Sequence, residues 1–555
     1  MTRSLVPQKA VILSAGFGTR LSSSRSLPWG VGDAGREDTD MSVRTIISPL
    51  GDERSAPAAR TPGWIYRELG VEPIINCTGV RTSYGGCNQT AEVLAAMIAA
   101  SEAFVDVDEL QEAIGHRLSR LTGAEWGVVT AGSVAALSLA VAACLVGNNP
   151  EKMLLLPHDF GKTVLVADDQ RMPYEHAIRA VGCSVTPIKA SSEIEKYSTE
   201  SAAAICLVGH DLGISTLSFE ETADFANRQG IPLIVDAAGL APRFPNEWLA
   251  GGADLIVHSG GKYIRGPQST GFLIGNEALC RAAFLNGPPH QSFGRSMKVG
   301  KDEMVAAYVA LERWVQDQEL TSRMLNWREC IKAMIEQFRL SPLVETEILE
   351  PDGAFCNPRL AISWADLDYL PTAYLLANRL SKSRPRIVLH DYWLRPRRII
   401  VDPTNLSIEE ARIVADSILT SLSDPPDGHG RPPEEPSVNV GGTWDLTISF
   451  LYGASQHRWG LEQLGNDITG RHVGDLSSGP SRGRILGPVV SLTSELAGDP
   501  MTRHYAFEGT VCGNTMSGSV CLGAATAKHA GSTFKRQFGA ATWTAVRRSS
   551  EQERE

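Results

Sequence analysis

Two charged residues follow short apolar runs in the middle of the chain. Asp236 ends the run Pro232-Leu233-Ile234-Val235, and Lys262 follows the apolar residues 255–257 through a Ser-Gly-Gly turn. In open α/β sheets ligands bind at the carboxyl ends of strands, so both side chains are expected at a ligand site. A desolvated lysine forms Schiff bases with carbonyl compounds, and an aspartate beside a pyridine nitrogen keeps that nitrogen protonated. The pair indicates a carbonyl cofactor with a pyridine ring; the alternative is a solvated lysine and a helix-capping aspartate.

A second segment has the composition of a phosphate-binding turn. Residues 128–136 (VVTAGSVAA) predict a strand, a turn of small residues and the first turn of a helix. Backbone N–H groups at such a helix start bind phosphate, and a serine hydroxyl adds a donor. Gly132, Ser133 and Val134 are therefore candidate phosphate ligands, and the alternative is a tight turn with close helix packing.

The elements that would position these residues follow an α/β pattern. Apolar runs at 203–208, 232–235 and 255–257 alternate with amphipathic stretches such as 218–229. Strands that are apolar on both faces and alternate with helices predict a mostly parallel sheet covered on both sides.

The texture of the chain predicts five segments. They are a poorly structured extension over 1–61, a large cofactor-binding domain over 62–329, a small α/β domain over 330–423, a Pro-rich linker over 424–437 and a β-rich domain over 438–546. Short alternating runs and frequent turns predict a small antiparallel barrel or sandwich for the last segment. The aromatic residues Trp444, Tyr452 and Trp459 are expected in its core, against the alternative of a ligand-binding barrel mouth, and Gly513-Asn514 is expected at a hairpin turn.

Composition excludes several classes of function. The net charge of −11 argues against a broad nucleic-acid-binding surface, since phosphate neutralisation needs clustered Lys and Arg. The ten cysteines are scattered, without a C-x-x-C pair or zinc spacing, which predicts reduced thiols, no metal site and a cytoplasmic location. No run of 18 apolar residues is present, so no membrane span is expected.

A family resemblance covers most of the predicted α/β region. The matching stretches are ELGVEPIINCTG (68–79), FVDVDELQEAIGHRLSRLTGAEWGVVTAGSVAAL (104–137), YEHAIRAVG (174–182), IPLIVDAAG (231–239) and HSGGKYIRGPQSTGFLIG (258–275). They resemble the selenocysteine-synthase-like and D-glucosaminate-6-phosphate ammonia-lyase-like branch of type I pyridoxal-phosphate enzymes. The resemblance implies the type I fold, pyridoxal 5'-phosphate on Lys262, Asp236 at the ring nitrogen, and Gly132, Ser133, Val134 and Ser259 around the cofactor.

Details of the motifs favour the lyase-like subgroup. The lysine loop GGK followed by IRGPQS is similar to that subgroup, which makes Arg265 and Gln268 candidate substrate ligands, with Arg171 as a carboxylate or phosphate clamp. The alternatives are a surface arginine and a turn glutamine. Lyase-like relatives usually have His-Arg-Asn where this chain has Gln170-Arg171-Met172, so an imidazole is replaced by an amide.

Three histidines and the first residues complete the candidate sites. His158, His210 and His258 lie near predicted strand ends, and His258 is the candidate acid or base among them, against the alternative of hydrogen-bonded loop residues. Residues 9–21 (KAVILSAGFGTRL) resemble the start of a sugar-phosphate nucleotidyltransferase. They are interpreted as a remnant, or as an upstream extension of the reading frame with Met41 as the true start, rather than as a second activity.

The expected reaction is removal of the α-proton from an amino-acid-type or amino-sugar-acid substrate, followed by loss of a β-substituent. Lys262 is the expected base. The alternatives are selenium transfer onto seryl-tRNA, for which transfer RNA is the less expected partner, and an inactive scaffold whose β domain binds a ligand. The resemblance implies a homo-oligomer.

Overall fold

The computed structural model describes residues 63–548, except 317–318, 340, 353–354, 368, 425–434, 437 and 527–537. The described residues from Ile65 onward belong to one compact unit. The predicted N-terminal extension with its nucleotidyltransferase-like segment, and most of the predicted linker, lie outside the described residues.

The first part of the chain alternates helices and strands as the sequence predicts. Its elements are α1 (Trp64–Glu68), β1 (Ile74–Cys77), α2 (Ala91–Ser101), α3 (Val107–Thr122), β2 (Trp126–Thr130), α4 (Ser133–Val146), α5 (Pro150–Met153), β3 (Thr163–Ala167), α6 (Glu175–Arg179), β4 (Ser184–Ile188), β5 (Ala202–Val208), α7 (Phe219–Gln229), β6 (Leu233–Asp236), α8 (Glu247–Ala250), β7 (Leu255–Ser259), β8 (Gly271–Gly275), α9 (Glu277–Asn286) and α10 (Lys301–Gln316). Helix α7 begins after Ser218, whose hydroxyl accepts from the N–H of Glu221, as expected of an N-cap serine.

Seven strands form the central sheet in the order β2-β8-β7-β6-β5-β3-β4. Strand β8 runs antiparallel to both neighbours, and the other pairs are parallel. The strands β2, β3, β5, β6 and β8 are buried along their whole length, because apolar cores cover both faces of the sheet. The mostly parallel sheet expected from the sequence is confirmed.

The next part of the chain builds the small domain. Its elements are α11 (Glu319–Phe338), β9 (Val344–Leu349), β10 (Arg359–Trp364), α12 (Ala373–Lys382), β11 (Arg386–Leu389), β12 (Arg398–Val401) and α13 (Ile408–Ser423). Its core also contains Ile75 and Cys77, because β1 pairs in parallel with β11. The predicted domain boundary between residues 329 and 330 therefore does not coincide with the observed packing. Strand β1 packs with the small domain, and α11 contributes Trp327 to a core of the large domain and Cys330 to the core of the small domain.

The β-rich segment is a closed eight-stranded antiparallel barrel. Its strands are β13 (Gly442–Ser449), β14 (Ala454–Leu464), β15 (Asp467–Val473), β16 (Ser478–Leu486), β17 (Val489–Leu496), β18 (Met501–Cys512), β19 (Thr515–Thr526) and β20 (Ala540–Arg547). Trp444 and Trp459 are fully buried in its core, and Cys512 pairs with Thr515 around the expected two-residue turn. The expected core position of Tyr452 is wrong: the residue is 98% exposed, because it lies in the turn between β13 and β14. Of the two architectures that the sequence left open, the barrel is the one observed.

Three further findings concern the described residues. No helix there is both long and apolar enough to cross a membrane. None of the ten cysteines is in a disulfide. No group of three or more His, Cys, Asp or Glu side chains in these ranges could hold a metal ion.

Candidate cofactor site

The last residue of β6 places a carboxylate at the carboxyl edge of the central sheet. Asp236 is buried, lies opposite Val208 of β5 and Val257 of β7, and its Oδ1 accepts a hydrogen bond of 3.0 Å from the N–H of Ala238. Burial raises the pKa of Asp236, whereas this N–H group and the charge of Lys262 lower it. A carboxylate held in such a place is stabilised in its ionised form by a cation nearby.

Lys262 lies in a tight loop that follows β7. The N–H of Gly260 donates to Thr270 O at 2.9 Å, and the N–H of Gly266 donates back to Gly260 O at 2.9 Å. A Cβ on Gly261 would come within 2.3 Å of the Cα of Gln268, so the fold requires glycine there. Burial lowers the pKa of Lys262, and the charge of Asp236 opposes that shift. The lysine is therefore a partly desolvated amine within electrostatic reach of the Asp236 carboxylate.

The start of α4 offers uncapped backbone N–H groups. Gly132 has φ +85°, and no side chain caps the helix. A Cβ on Gly271 would lie 2.5 Å from the carbonyl carbon of Gly132 and 2.6 Å from the nitrogen of Ser133, so β8 and the helix start are in close contact. Ser133 is partly buried and Val134 is exposed. The first turn of a 14-residue helix thus presents free donors, which is the environment that a phosphate prefers.

Gln170 lies at the same edge of the sheet. It is buried, and its Oε1 accepts a hydrogen bond of 2.8 Å from the N–H of Val208, the residue opposite Asp236. Its Nε2 has no hydrogen-bond partner among the described residues. A buried amide donor without a partner is unfavourable. We therefore expect a bound ligand to accept a hydrogen bond from this Nε2.

Arg171 is engaged by two carboxylates. Its Nε and one terminal nitrogen donate to Glu175 at 2.6 and 2.8 Å, and a terminal nitrogen lies 2.7 Å from Asp499 in a turn of the barrel. The side chain is thus held close to Gln170, but its guanidinium is already paired. Its predicted use as a substrate clamp requires exchange of one of these partners.

The other two candidate substrate ligands hold loops together. The Nε of Arg265 donates to Asn88 O at 2.7 Å, and the Nε2 of Gln268 donates to Thr82 O at 2.7 Å. Arg265 adopts φ +64°, the one positive φ found for a non-glycine residue in the described ranges. Both side chains therefore fasten the lysine loop to the segment that contains Thr82 and Asn88.

The structure places His258 away from Asp236. Ile234 packs in the core on the α4 side of the sheet, and Ile256 packs in the core on the other side. Because side chains alternate along a strand, Asp236 faces the α4 side and His258 faces the opposite side. There His258 packs edge-on against Phe244, with 5.8 Å between ring centroids, and lines a cavity of about 680 Å³. Burial lowers its pKa to about 4.

Tyr174 and Arg81 also lie in this region, and neither was predicted from the sequence as a site residue. The charges of Asp236 and Arg81 both act on the pKa of Tyr174, which burial raises. Arg81 pairs with Asp391 of the small domain at 2.7 Å. Nothing in the local sequence of Arg81 indicates this position, because its partner is 310 residues away in the chain. His210, for which the sequence favoured a loop position, also lowers the pKa of Asp236. A Cβ on Gly239 would lie 3.1 Å from Nδ1 of His210, so the two residues are in close contact.

Sequence comparison places the chain among known enzymes. No family model matches it. It is 34% identical over 270 residues to D-glucosaminate-6-phosphate ammonia lyase of Salmonella typhimurium, across 46% of this chain and 71% of the relative. The chain belongs to this family of pyridoxal-phosphate enzymes.

Other members of the wider group match less closely. A 5'-C-glycyluridine monooxygenase-decarboxylase of Streptomyces is 26% identical over 66% of this chain and 93% of its own length. An L-seryl-tRNA(Sec) selenium transferase of Mannheimia succiniciproducens is 25% identical over 37% of this chain and 48% of its own length. The solved structure of a D-glucosaminate-6-phosphate ammonia-lyase superposes with a TM-score of 0.57 at 26% identity, across 66% of this chain and 100% of that one. This superposition supports the type I fold for the part of the chain before the barrel.

The residues at the carboxyl edge fit the cofactor of this family. The buried carboxylate of Asp236 suits a protonated ring nitrogen, and Lys262 supplies an amine with a lowered pKa. The uncapped start of α4 suits the phosphate, and the unpaired Nε2 of Gln170 suits an acceptor on a buried ligand. Ser259 ends β7, and side-chain alternation along the strand turns it to the same face as Asp236.

Proposed function

We propose that this chain is a pyridoxal-phosphate-dependent lyase. It removes the α-proton of an amino-acid-type or amino-sugar-acid substrate, and a β-substituent then leaves. The observation that carries the proposal is the Lys262 amine, whose pKa burial lowers, within electrostatic reach of the buried Asp236 at adjacent strand ends. The 34% identity to an ammonia lyase supports the reaction class.

The chain's own residues divide the work of binding. When bound, pyridoxal phosphate supplies an electron sink for the electron pair left at the substrate's α-carbon. Asp236 would hold the protonated ring nitrogen of the cofactor. The N–H groups of Ser133 and Val134 would hold its phosphate, and Gly132 would allow the close approach. The Nε2 of Gln170, whose Oε1 is held by the N–H of Val208, would donate to a polar atom of the bound ligand.

Lys262 moves the proton. A general base works best when its pKa is near the working pH, and burial moves the pKa of this lysine downward in that direction. Gln170 cannot take this role, since a side-chain amide is too weak a base and too weak an acid to accept or donate a proton in the reaction near neutral pH. His258 faces the other side of the sheet, so the proposed base at the α-carbon is Lys262 alone.

Substrate selection is assigned to Arg171, Arg265 and Gln268. The last two keep the lysine loop against the segment that contains Thr82 and Asn88. Arg171 binds a substrate carboxylate or phosphate by exchanging Asp499, which is the more exposed of its two partners. An anionic substrate is thus expected, with a small molecule preferred to transfer RNA.

The test is the visible absorption of the purified full-length protein with added pyridoxal phosphate. We expect an absorption band that borohydride abolishes, and a borohydride-reduced digest that carries the cofactor's mass on the peptide with Lys262. Lys262→Ala removes both signals, whereas Lys332→Ala, an exposed lysine of α11, keeps them. A cofactor mass on another lysine would refute the assignment.

The substrate screen then distinguishes the reactions. Phosphorylated amino-sugar acids are tried first, with ammonia and a keto product as the readout. Two other substrates are tested for comparison. Seryl-tRNA is offered together with a selenium donor, and nucleoside substrates are tested by measuring oxygen consumption. Loss of ammonia only from the first group supports the lyase, and turnover of either other substrate would replace it.

A further inference from the structure

The interior of the C-terminal barrel is polar along part of its length. Side chains alternate between inside and outside along each strand, so the buried residues of β14 and β15 point inward. Most inward residues are apolar and pack around Trp444, Trp459, Phe507 and Trp543. Toward one end of the barrel the buried inward residues are polar instead: Ser455, His457, His472, Ser481 and Ser494.

A chain of hydrogen bonds runs inward from the turn after β15. Asp475 accepts from Ser455 Oγ at 2.5 Å, and the same Oγ lies 2.6 Å from His457 Nε2. His457 Nδ1 lies 2.7 Å from Nε2 of His472. His472 is completely buried, and its Nδ1 has no hydrogen-bond partner among the described residues.

The carboxylate at one end sets the direction of every donor in this chain. Asp475 only accepts, so Ser455 gives it the hydroxyl proton and accepts from His457 Nε2–H. His457 Nδ1 is then an acceptor for His472 Nε2–H, and His472 Nδ1 carries an unused lone pair. Burial lowers the pKa of His457 and lowers that of His472 to about 3, so both rings are neutral at neutral pH.

A second orphaned group lies on the neighbouring ring. Trp459 is fully buried, its ring centroid lies 5.8 Å from that of His472, and its Nε1–H has no acceptor in the described part of the chain. The indole of Trp444 is different, because its Nε1–H donates to Val440 O at 2.9 Å. An unpaired buried polar group is unfavourable, so two of them on neighbouring rings require an explanation.

We propose that the barrel interior binds a small uncharged molecule that carries a hydrogen-bond donor and an acceptor on separate atoms, as an amide does. The donor of this molecule binds His472 Nδ1, and its acceptor binds Trp459 Nε1–H. A carboxylate does not fit, since it has no donor for His472, and Asp475 already places a negative charge in the network. Large aromatic side chains already fill most of this eight-stranded barrel, which limits the molecule to a few heavy atoms.

The site is separate from the proposed cofactor site. It uses none of the residues at the edge of the central sheet, and it gives the barrel a binding function beyond the proposed lyase reaction. The charge of Arg503 acts on the pKa of His457, and its guanidinium donates to Ala497 O at 3.0 Å and to Ser477 Oγ.

The experiment uses the full chain and three molecules of similar size: acetamide, acetone and acetate. Acetone has an acceptor only, and acetate has acceptors and a charge. Scanning calorimetry is run over a concentration series of each, and native mass spectrometry of the untreated protein looks for a co-purified molecule. We expect acetamide to raise the Tm of the barrel transition in a saturable way, and acetone and acetate to leave it unchanged.

Two tryptophan variants provide the matched comparison. Trp459→Phe removes the orphaned donor and weakens the apparent affinity for acetamide by about tenfold, the loss of one hydrogen bond. Trp444→Phe removes an indole whose N–H is already satisfied, and its affinity for acetamide stays as in the wild type. Both substitutions lie in the barrel core, so the thermal transition whose Tm changes in either variant is assigned to the unfolding of the barrel.

The outcomes are decisive without the variants. Saturable stabilisation by acetamide alone, or an amide found by mass spectrometry, supports the site. Equal shifts with all three molecules, no shift with any, or a crystal structure with only water between His472 and Trp459 would overturn it.

Discussion

The substitution Gly271→Ala tests the phosphate-binding role of α4 without touching a polar side chain. The new Cβ would lie 2.5 Å from the carbonyl carbon of Gly132 and 2.6 Å from the nitrogen of Ser133, whereas ordinary contacts begin at 3.4 Å. The start of α4 must therefore move by about 0.9 Å, which lengthens a normal N–H···O bond of about 2.9 Å beyond hydrogen-bond range.

The expected loss is that of one or two charge-assisted bonds to phosphate. Each contributes about 1.5–3 kcal/mol, so a total of about 3 kcal/mol corresponds to a roughly 100-fold rise in the Kd for pyridoxal phosphate. The extra methyl group also costs about 1–3 kcal/mol of folding stability. The effect on binding is therefore measured well below the Tm of the variant.

The assay is absorbance titration of the cofactor-free protein with pyridoxal phosphate. Gly213→Ala is the control, since nothing lies within 4 Å of a Cβ there. Its Kd is expected to equal that of the wild type. If a folded Gly271→Ala protein binds as tightly as the control, the start of α4 does not bind the phosphate.

Two other predictions concern the charge pair and the barrel. The negative charge of Asp236 raises the pKa of Lys262, so Asp236→Asn is expected to lower this pKa further. Binding of pyridoxal phosphate needs the free amine, so in stopped-flow measurements the binding rate of the variant should rise with pH at a lower midpoint than that of the wild type. An unchanged midpoint would contradict the coupling. Gly509→Ala puts a Cβ 2.6 Å from the ring of Trp543 and should destabilise the barrel by about 1–3 kcal/mol in calorimetry, with pyridoxal-phosphate binding unchanged. Gly460→Ala, with open space around its Cβ, is the control, and equal losses in both variants would argue against overpacking.

Local signals in the sequence predicted the core of the large domain. The buried strands β5 and β6 lie where apolar runs end in turn residues, and α7 begins at the capping Ser218. These features depend on neighbours in the chain, so periodicity and capping chemistry are sufficient to find them. The barrel hairpin at Gly513 was predictable for the same reason.

Long-range pairing was not predictable from the residues alone. Strand β1 has four residues and pairs with β11 more than 300 positions later, so its place in the small domain has no local signal. The orientation of β8 against its neighbours is another example. The pair Arg81 and Asp391 also depends on tertiary contact. In each case the partner is selected by packing, which a single sequence does not display.

His258 shows how closely spaced residues can be separated by a sheet. Its position near Lys262 in sequence suggested a shared site, yet the side-chain alternation of β7 directs it to the opposite core from Asp236. The alternation along β7 was readable from sequence. The face occupied by Asp236 was not, because the registers of β6 and β7 are fixed only in the folded sheet.

Gln170 connects the scaffold to the proposed chemistry. Its Oε1 binds the N–H of Val208, so the amide fixes the end of β5 beside Asp236, and its Nε2 remains available to a ligand. A histidine at this position could bind and also transfer a proton, but an amide can only bind. His258 lies on the other face, so in the proposed reaction proton transfer is left to Lys262, whose lowered pKa suits it to that work. The proposed reaction therefore uses only steps that one base can perform.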